Sequence, residues 1–204
     1  MMPDPWPERP DLDDYLKHDD IIDYDDPMIE EAVEQITDGL KDNISKAQAL
    51  YEFVRDQIFH SFQINATSIT IKASEVLEKG HGLCYAQAHL LAALMRAAGI
   101  PCGFCYQIRK DQDDPDGKRL VVHGYNAVYI EELGKWIRLD ASKSIEEYNP
   151  SFDFEKEASE LAVDTQAGEH DDPVIYINPS KNIIKTLKKY ESVEDLKKNM
   201  PDKY

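Results

Sequence analysis

Three residues of the chain, Cys84, His123 and Asp140, have the side chains that nucleophilic chemistry on an acyl group requires. A thiolate attacks the carbonyl, a histidine accepts and holds the thiol proton, and a third group orients the histidine. Cys84 follows a glycine-rich turn and opens an Ala- and Leu-rich run that favours a helix. The free N–H groups and partial positive charge of a helix start favour an anion, which lowers a thiol pKa.

The position of Cys84 also supports a role for its own backbone. Gly80 and Gly82 allow close approach of the backbone and leave the sulfur reachable, and the Cys84 N–H is free to help stabilise an oxyanion. Judged on position alone, a buried structural cysteine is the alternative interpretation, since that is the common fate of a lone cysteine.

The spacing of His123 and Asp140 can bring their side chains together on one face of a sheet. The segments 120–130 and 135–139 are predicted strands joined by the turn 131–134. If this turn closes with an even number of residues, Tyr125 lies opposite Asp140 and His123 lies one diagonal step away. A turn of odd length would place the two side chains on opposite faces.

The rest of the pattern predicts a single α+β domain in which helices precede an antiparallel sheet. The helix that begins at Cys84 is apolar nearly all round, so we expect it to be buried at the centre. Other predicted helices cover 27–40, 45–59 with Ser45 as N-cap, 74–78, 154–161 and 181–200, and other predicted strands cover 102–108 and 174–177. We divide the chain into an acidic arm at 1–27 with Trp6, Tyr15 and Leu16 as anchors, a catalytic domain at 28–180, and a helical extension at 181–204 packed on the same domain.

Composition excludes several classes of function. The net charge of −17 argues against nucleic acid and against an anionic membrane surface as partners. No apolar run approaches the roughly 18 residues of a membrane span, and Met1 to Pro10 lacks the basic and apolar regions of a secretory signal. We therefore expect a cytoplasmic protein whose three cysteines are reduced thiols.

Other residues with reactive side chains favour structural interpretations. Cys102 and Cys105 have C-x-x-C spacing, but they lie at a strand start and no second pair completes a zinc site, so we interpret them as buried thiols. His89 points away from Cys84, whereas His81 is a rival base that no carboxylate is spaced to orient. The acidic arm lacks calcium-loop spacing, and we expect neither a metal nor another cofactor.

Four motifs in order along the chain resemble the transglutaminase-like core family, a Cys–His–Asp superfamily whose fold is similar to papain-like proteases. They are Gly82-Leu83-Cys84-Tyr85-Ala86, Ala98-Gly99-Ile100-Pro101, Val122-His123-Gly124-Tyr125-Asn126-Ala127 and Trp136-Ile137-Arg138-Leu139-Asp140. The resemblance covers 45–145 and is greatest to a bacterial subset of the family. That subset often continues after the aspartate with Arg-Gly-Asn, where this chain has Ala141-Ser142-Lys143-Ser144, so substrate preference is open.

The resemblance implies a role for each site residue. Cys84 would be the nucleophile, His123 the base and later the acid, and Asp140 the group that holds the imidazole in its working tautomer. Relatives supply a second oxyanion donor upstream of the cysteine, for which Gln63 and His60 are the candidates. Three aromatic residues are candidates to line a substrate groove, although core packing explains them as well: Tyr85, Tyr125 and Trp136.

The implied activity is acyl transfer or hydrolysis through a thioester acyl-enzyme, on a peptide or glutamine side-chain amide. The substrate would be a protein or peptide that supplies the amide, and an amine or water would be the acceptor. Two alternatives stay open: a cysteine peptidase or amidase, and a catalytically silent protein-interaction domain on the same fold. Whether primary amines outcompete water as the acceptor distinguishes an acyltransferase from a cysteine peptidase or amidase. An unreactive Cys84 thiol would favour the silent interaction domain.

Overall fold

A computed structural model describes residues 4–111, 114, 116, 118–142 and 163–204. The predicted helix at 154–161 lies outside these residues. The described helices are α1 (Pro27–Ile36), α2 (Asn43–Gln57), α3 (Ala73–Lys79), α4 (Cys84–Ala97), α5 (Lys181–Lys189) and α6 (Val193–Lys198). The described strands are β1 (Trp6–Pro7), β2 (Phe59–His60), β3 (His81–Gly82), β4 (Cys102–Lys110), β5 (Leu120–Ile130), β6 (Lys135–Leu139), β7 (His170–Asp171) and β8 (Val174–Ile175).

An antiparallel sheet with the order β6-β5-β4-β7 supports the C-terminal side of the fold. The predicted bounds of β5 and β6 are confirmed, while β4 runs two residues beyond its predicted end. Asn126 pairs with Leu139 and Ala127 with Arg138, which is the register expected for an even-length turn. This pairing covers only Asn126–Ile130, so the first half of β5 extends past the end of β6.

Helix α4 lies at the centre, between the other helices and the sheet. Ala and Leu residues cover it on all sides, so burial from every direction stabilises it, and Leu90, Leu91 and Leu94 have no exposed surface. On the sheet side, the Asn126 side-chain amide donates to the Ala88 carbonyl at 3.1 Å. The prediction of a central buried helix packed on an antiparallel sheet is confirmed, and the fold class is α+β.

Two of the helix ends that differ from the sequence prediction have a local explanation. Helix α1 ends at Ile36 rather than at residue 40, because the chain turns at Gly39, whose φ of +75° does not continue a helix. Helix α2 has Asp42 as its N-cap, since this carboxylate accepts from the Ser45 N–H at 2.8 Å. Ser45 lies inside the first turn instead of capping it. A cap chosen by residue type alone does not show which of two nearby candidates reaches the free N–H groups.

The N-terminal segment packs on the sheet face opposite α4. Strand β1 pairs in parallel with β8, and Tyr15 is fully buried with its hydroxyl donating to the Ile175 carbonyl at 3.1 Å. Tyr15 is therefore the anchor that was predicted, whereas Trp6 is 52% exposed and is not. A second core cluster forms on this face from Tyr15, Cys105, Tyr125, Ala127, Ile175 and Ile177.

The C-terminal region contains two short helices, α5 and α6, where one or two were predicted. They contribute Ile183, Leu187 and Leu196 to the main core. Ser180 and Ser192 cap them, accepting from the N–H groups of residues 183 and 195. Among the helices that the structure describes, none combines the length and apolarity needed to cross a bilayer.

Candidate active site

Cys84 is the first residue of α4 and is 8% exposed. Leu83 stands at the N-cap position, and none of the described side chains caps this helix, which leaves its first N–H groups for another acceptor. Gly82 passes beneath the first turn, where an added Cβ would lie 3.0 Å from the Ala86 Cβ. A residue larger than glycine at this point would press on the turn that presents the thiol.

His123 and Asp140 meet where β6 ends beside β5. The His123 Nε2 and the Asp140 Oδ2 are 2.7 Å apart, and both side chains are largely buried. The Cys84 side chain lies close to the same imidazole and adds to the rise in its pKa. Because Asp140 engages Nε2, the ring nitrogen left for the thiol proton is Nδ1. The structure thus brings Cys84, His123 and Asp140 together.

The electrostatics of this group favour a charged imidazole. Burial disfavours the imidazolium, but the charge and hydrogen bond of Asp140, with a smaller contribution from Cys84, outweigh it and raise the pKa of His123 to about 10. Burial likewise opposes ionisation of Asp140, yet His123 and Ser142 overcome it and hold the pKa of this carboxyl well below its ordinary value. The pair is therefore an imidazolium beside a carboxylate across the neutral range.

Two further residues, Ser142 and Tyr51, hold Asp140 in place. The Ser142 hydroxyl and N–H donate to the Asp140 Oδ1 at 2.6 and 3.0 Å, and the Tyr51 hydroxyl donates to the Asp140 carbonyl at 3.1 Å. Sequence analysis noted Ser142 only as a departure from relatives and did not assign it this function. The Asp-x-Ser spacing, which is typical of a side-chain turn, was the available signal. Tyr51 comes from α2, and no local pattern indicated it.

The two candidate oxyanion donors, His60 and Gln63, differ in how close the fold places them to the cysteine turn. Strand β2 pairs in parallel with β3, which sets His60 beside Gly82, two residues before Cys84. The His60 ring accepts weakly from the Phe62 N–H at 3.4 Å and packs on the Phe62 ring. Gln63 lies in the following turn with its side chain exposed. The backbone pairing favours His60 over Gln63.

The three groove candidates do not form a groove surface. Tyr85 and Tyr125 are each 1% exposed, so both belong to the core, and the prediction that they line a groove is corrected on this ground. Trp136 is partly exposed and packs edge-on against Tyr15 and Tyr129, at centroid distances of 4.8 and 5.6 Å. The alternative explanation, core packing, holds for Tyr85 and Tyr125.

Comparison with known proteins identifies the family. Residues 30–141 match the family model described as the transglutaminase-like superfamily. The chain belongs to this superfamily. The matched region contains the three candidate site residues Cys84, His123 and Asp140. None of the curated proteins matches the chain.

Solved structures with the same fold are distant in sequence from this transglutaminase-like chain. A candidate cysteine protease from Cytophaga hutchinsonii is 21% identical with a TM-score of 0.53, and the alignment covers 66% of this chain and 43% of that one. The periplasmic domain of TgpA from Pseudomonas aeruginosa is 18% identical with a TM-score of 0.44, and the alignment covers 63% of this chain and 45% of that one. The chain thus spans less than half the length of either structure. At 21% identity, the likeness to the first of these structures shows the fold alone.

Two other thiols and two other imidazoles of this transglutaminase-like chain have structural contacts. Cys102 and Cys105 are free, fully buried thiols, as predicted, and burial raises the pKa of Cys102 to about 12. The His89 Nδ1 lies 2.7 Å from the Ile71 carbonyl, and burial lowers its pKa to about 4. The His81 Nδ1 lies 3.0 Å from the Ser61 hydroxyl. Among the residues described, no three His, Cys, Asp or Glu side chains cluster as a metal site requires.

Proposed function

We propose that the chain is a thiol acyltransferase or amide hydrolase in which Cys84, His123 and Asp140 act as nucleophile, base and orienting group. The observation that carries the proposal is a single imidazole, His123, held by Asp140 at 2.7 Å and within reach of the Cys84 side chain. Family membership supports it, because the matched region contains all three residues.

The first half of the proposed reaction forms a thioester. The reaction starts from a Cys84 thiolate beside the His123 imidazolium, which holds the thiol proton at Nδ1, and the thiolate adds to the carbonyl carbon of an amide. The imidazolium then gives this proton to the amide nitrogen, the C–N bond breaks, and ammonia or an amine leaves. Asp140 stabilises the imidazolium in both steps and keeps the hydrogen-bonded nitrogen fixed.

The oxyanion of the tetrahedral intermediate needs hydrogen-bond donors near the sulfur. The uncapped first turn of α4 offers the Cys84 N–H, in the favourable field of a helix start. His60, paired beside Gly82, is the proposed second donor. Backbone and side chain would then act together on the charge that develops only in the transition state.

The second half of the reaction releases the acyl group. His123 accepts a proton from water or from a primary amine, whose oxygen or nitrogen attacks the thioester carbon. The C–S bond then breaks, the acyl group leaves on the attacking atom, and the sulfur departs as the thiolate beside the imidazolium. We propose a protein or peptide as the acyl donor, with a glutamine side-chain or backbone amide as the reacting group. The balance between amine and water decides between transfer and hydrolysis.

The first experiment measures how the rate of Cys84 alkylation by iodoacetamide depends on pH. Wild type should label fast well below pH 8.5, the ordinary thiol pKa being about 8.5. His123→Ala should slow labelling at pH 6 by roughly a hundredfold, because the base that holds the thiol proton is gone. Mass spectrometry assigns the adduct, with the buried Cys102 and Cys105 as internal controls.

His89→Ala is the matched control, since it also removes a buried imidazole but one that bonds Ile71 instead of Asp140. This variant should label like wild type. Labelling of wild type that follows an ordinary thiol and ignores His123 would refute the proposal and favour the silent interaction domain. If labelling is fast, an activated glutamine peptide offered with and without a primary amine then separates transfer from hydrolysis.

A further inference from the structure

One hydrogen bond ties the neighbours of the nucleophile and the base to each other. The Tyr85 hydroxyl donates to the Val122 carbonyl. Tyr85 directly follows Cys84, and Val122 directly precedes His123. The bond therefore links the first turn of α4 to β5 at the point where each presents its reacting side chain.

The Tyr85 ring is held rigidly against β5. It is 1% exposed, and it lies over Gly124, where an added Cβ would come within 2.9 Å of the Tyr85 Cδ1. Since real Cβ atoms do not approach so closely, only glycine at position 124 allows the ring this place. The Cε1 of Tyr106 would lie 3.5 Å from the same added Cβ.

The Tyr85 hydroxyl also lies close to the Cys84 side chain. Its one proton goes to the Val122 carbonyl, and its lone pairs can accept only from a protonated thiol. Burial holds the pKa of Tyr85 well above its ordinary value, so the group remains a neutral donor over the working range. It cannot compete with His123 for the thiol proton.

We infer that Tyr85 is a positioning residue, which fixes the separation of the Cys84 thiol and the His123 imidazole through its bond to Val122. The inference rests on the proposed function and deepens it. Without the hydroxyl, α4 and β5 keep their apolar packing but lose the bond that sets their distance at the reacting atoms. The thiolate–imidazolium pair should then form less readily, with little change in the fold.

Tyr85→Phe tests the inference, because it removes the hydroxyl and keeps the ring. We expect Cys84 alkylation at pH 6 to fall about tenfold, which corresponds to one lost hydrogen bond. The pH at which labelling becomes fast should rise, which a merely structural contact would not cause. Tyr106→Phe is the matched control, as its buried hydroxyl on β4 accepts from the Ser180 N–H at 2.8 Å. This control should keep the wild-type profile.

Gly124→Ala supplies a second route to the same result. Its methyl group would displace the Tyr85 ring while leaving the hydroxyl in the protein, so it should shift the labelling profile in the same direction as Tyr85→Phe. Thermal unfolding of all variants shows whether the fold persists. An unchanged profile in Tyr85→Phe, beside fast and His123-dependent labelling of wild type, would overturn the inference and leave the proposed function standing. Wild-type labelling that ignores His123 would instead defeat the proposed function itself.

Discussion

Two buried pairs of an acid and a cation lie close together in the sheet, and their partners differ in one chemical property. Asp140 holds His123 at 2.7 Å, and Asp171 holds Arg138 at 3.1 Å. Arg138 lies in β6, and Asp140 follows the end of this strand. Arginine keeps its proton under all ordinary conditions, whereas histidine can give its proton away.

The surroundings of the two carboxylates match this difference. Asp171 accepts from the Gln107 amide at 2.8 Å and from the Tyr125 hydroxyl at 3.1 Å, in addition to Arg138. The Tyr125 ring in turn stacks on His123, with centroids 6.1 Å apart and planes at 18°. The Arg138–Asp171 pair thus holds the Tyr125 ring, and this ring packs against His123 of the titratable pair. We interpret Arg138–Asp171 as structural and His123–Asp140 as chemical.

Asp140→Asn should give the largest effect. The amide nitrogen would donate to the His123 Nε2, which places the ring proton on Nδ1, where it cannot receive the thiol proton. We expect formation of the acyl-enzyme to slow about 10³–10⁴-fold, as for other triads that lose the orienting carboxylate. Stopped-flow mixing with an activated ester measures this rate.

The same variant should lose little stability at pH 9, about 1–2 kcal/mol in urea unfolding, because His123 can discharge when its partner is removed. Asp172→Asn is the control, since this acid accepts from the Tyr176 and Tyr204 hydroxyls and has no part in the pair. A rate within tenfold of wild type would mean that Asp140 does not orient the base.

Asp171→Asn should give the opposite result. Arg138 cannot discharge, so loss of the carboxylate leaves a buried cation beside a neutral amide, and we expect about 3–5 kcal/mol less stability. Because Cys84, His123 and Asp140 are intact, the acyl-enzyme rate should change less than tenfold. Urea unfolding and the stopped-flow assay measure the two effects. A stability loss no greater than that of Asp172→Asn would show that the two pairs do not differ as argued.

Local sequence patterns predicted the proximity of His123 and Asp140 well. The four-residue turn between β5 and β6 fixes the register, and the register together with the alternation of side chains places His123 near Asp140. Cys84 was recognisable because a glycine turn precedes a run of strong helix formers. Each of these signals lies within a short stretch of sequence, where local rules hold.

The structural pair could not be predicted in this way. Asp171 and Arg138 are 33 residues apart in the sequence. Asp171 belongs to the short strand β7, which lies at the opposite edge of the sheet from β6. The prediction that Tyr85 lines a groove was wrong because the sequence around a nucleophile does not show whether a neighbouring tyrosine faces solvent or the core. Only the packing over Gly124 distinguishes these cases.

A dependence of stability on pH separates the two pairs most directly. The pKa of His123 rises from 6.5 to about 10 on folding, so its contribution is complete below pH 6.5 and is lost as pH rises through 10. The pKa of Asp140 is lowered, so its contribution is present above pH 4 and is lost in stronger acid.

The stability difference between wild type and Asp140→Asn should therefore be greatest at pH 4–6.5 and shrink by about 1 kcal/mol per pH unit above it. The deficit of Asp171→Asn should stay level from pH 6.5 to 10, because Arg138 remains charged throughout this range. Urea unfolding at four pH values measures how the stability deficit of each variant depends on pH. If the two deficits depended on pH in the same way, Asp140 would not be what keeps His123 protonated. The distinction between a chemical and a structural pair would then be wrong.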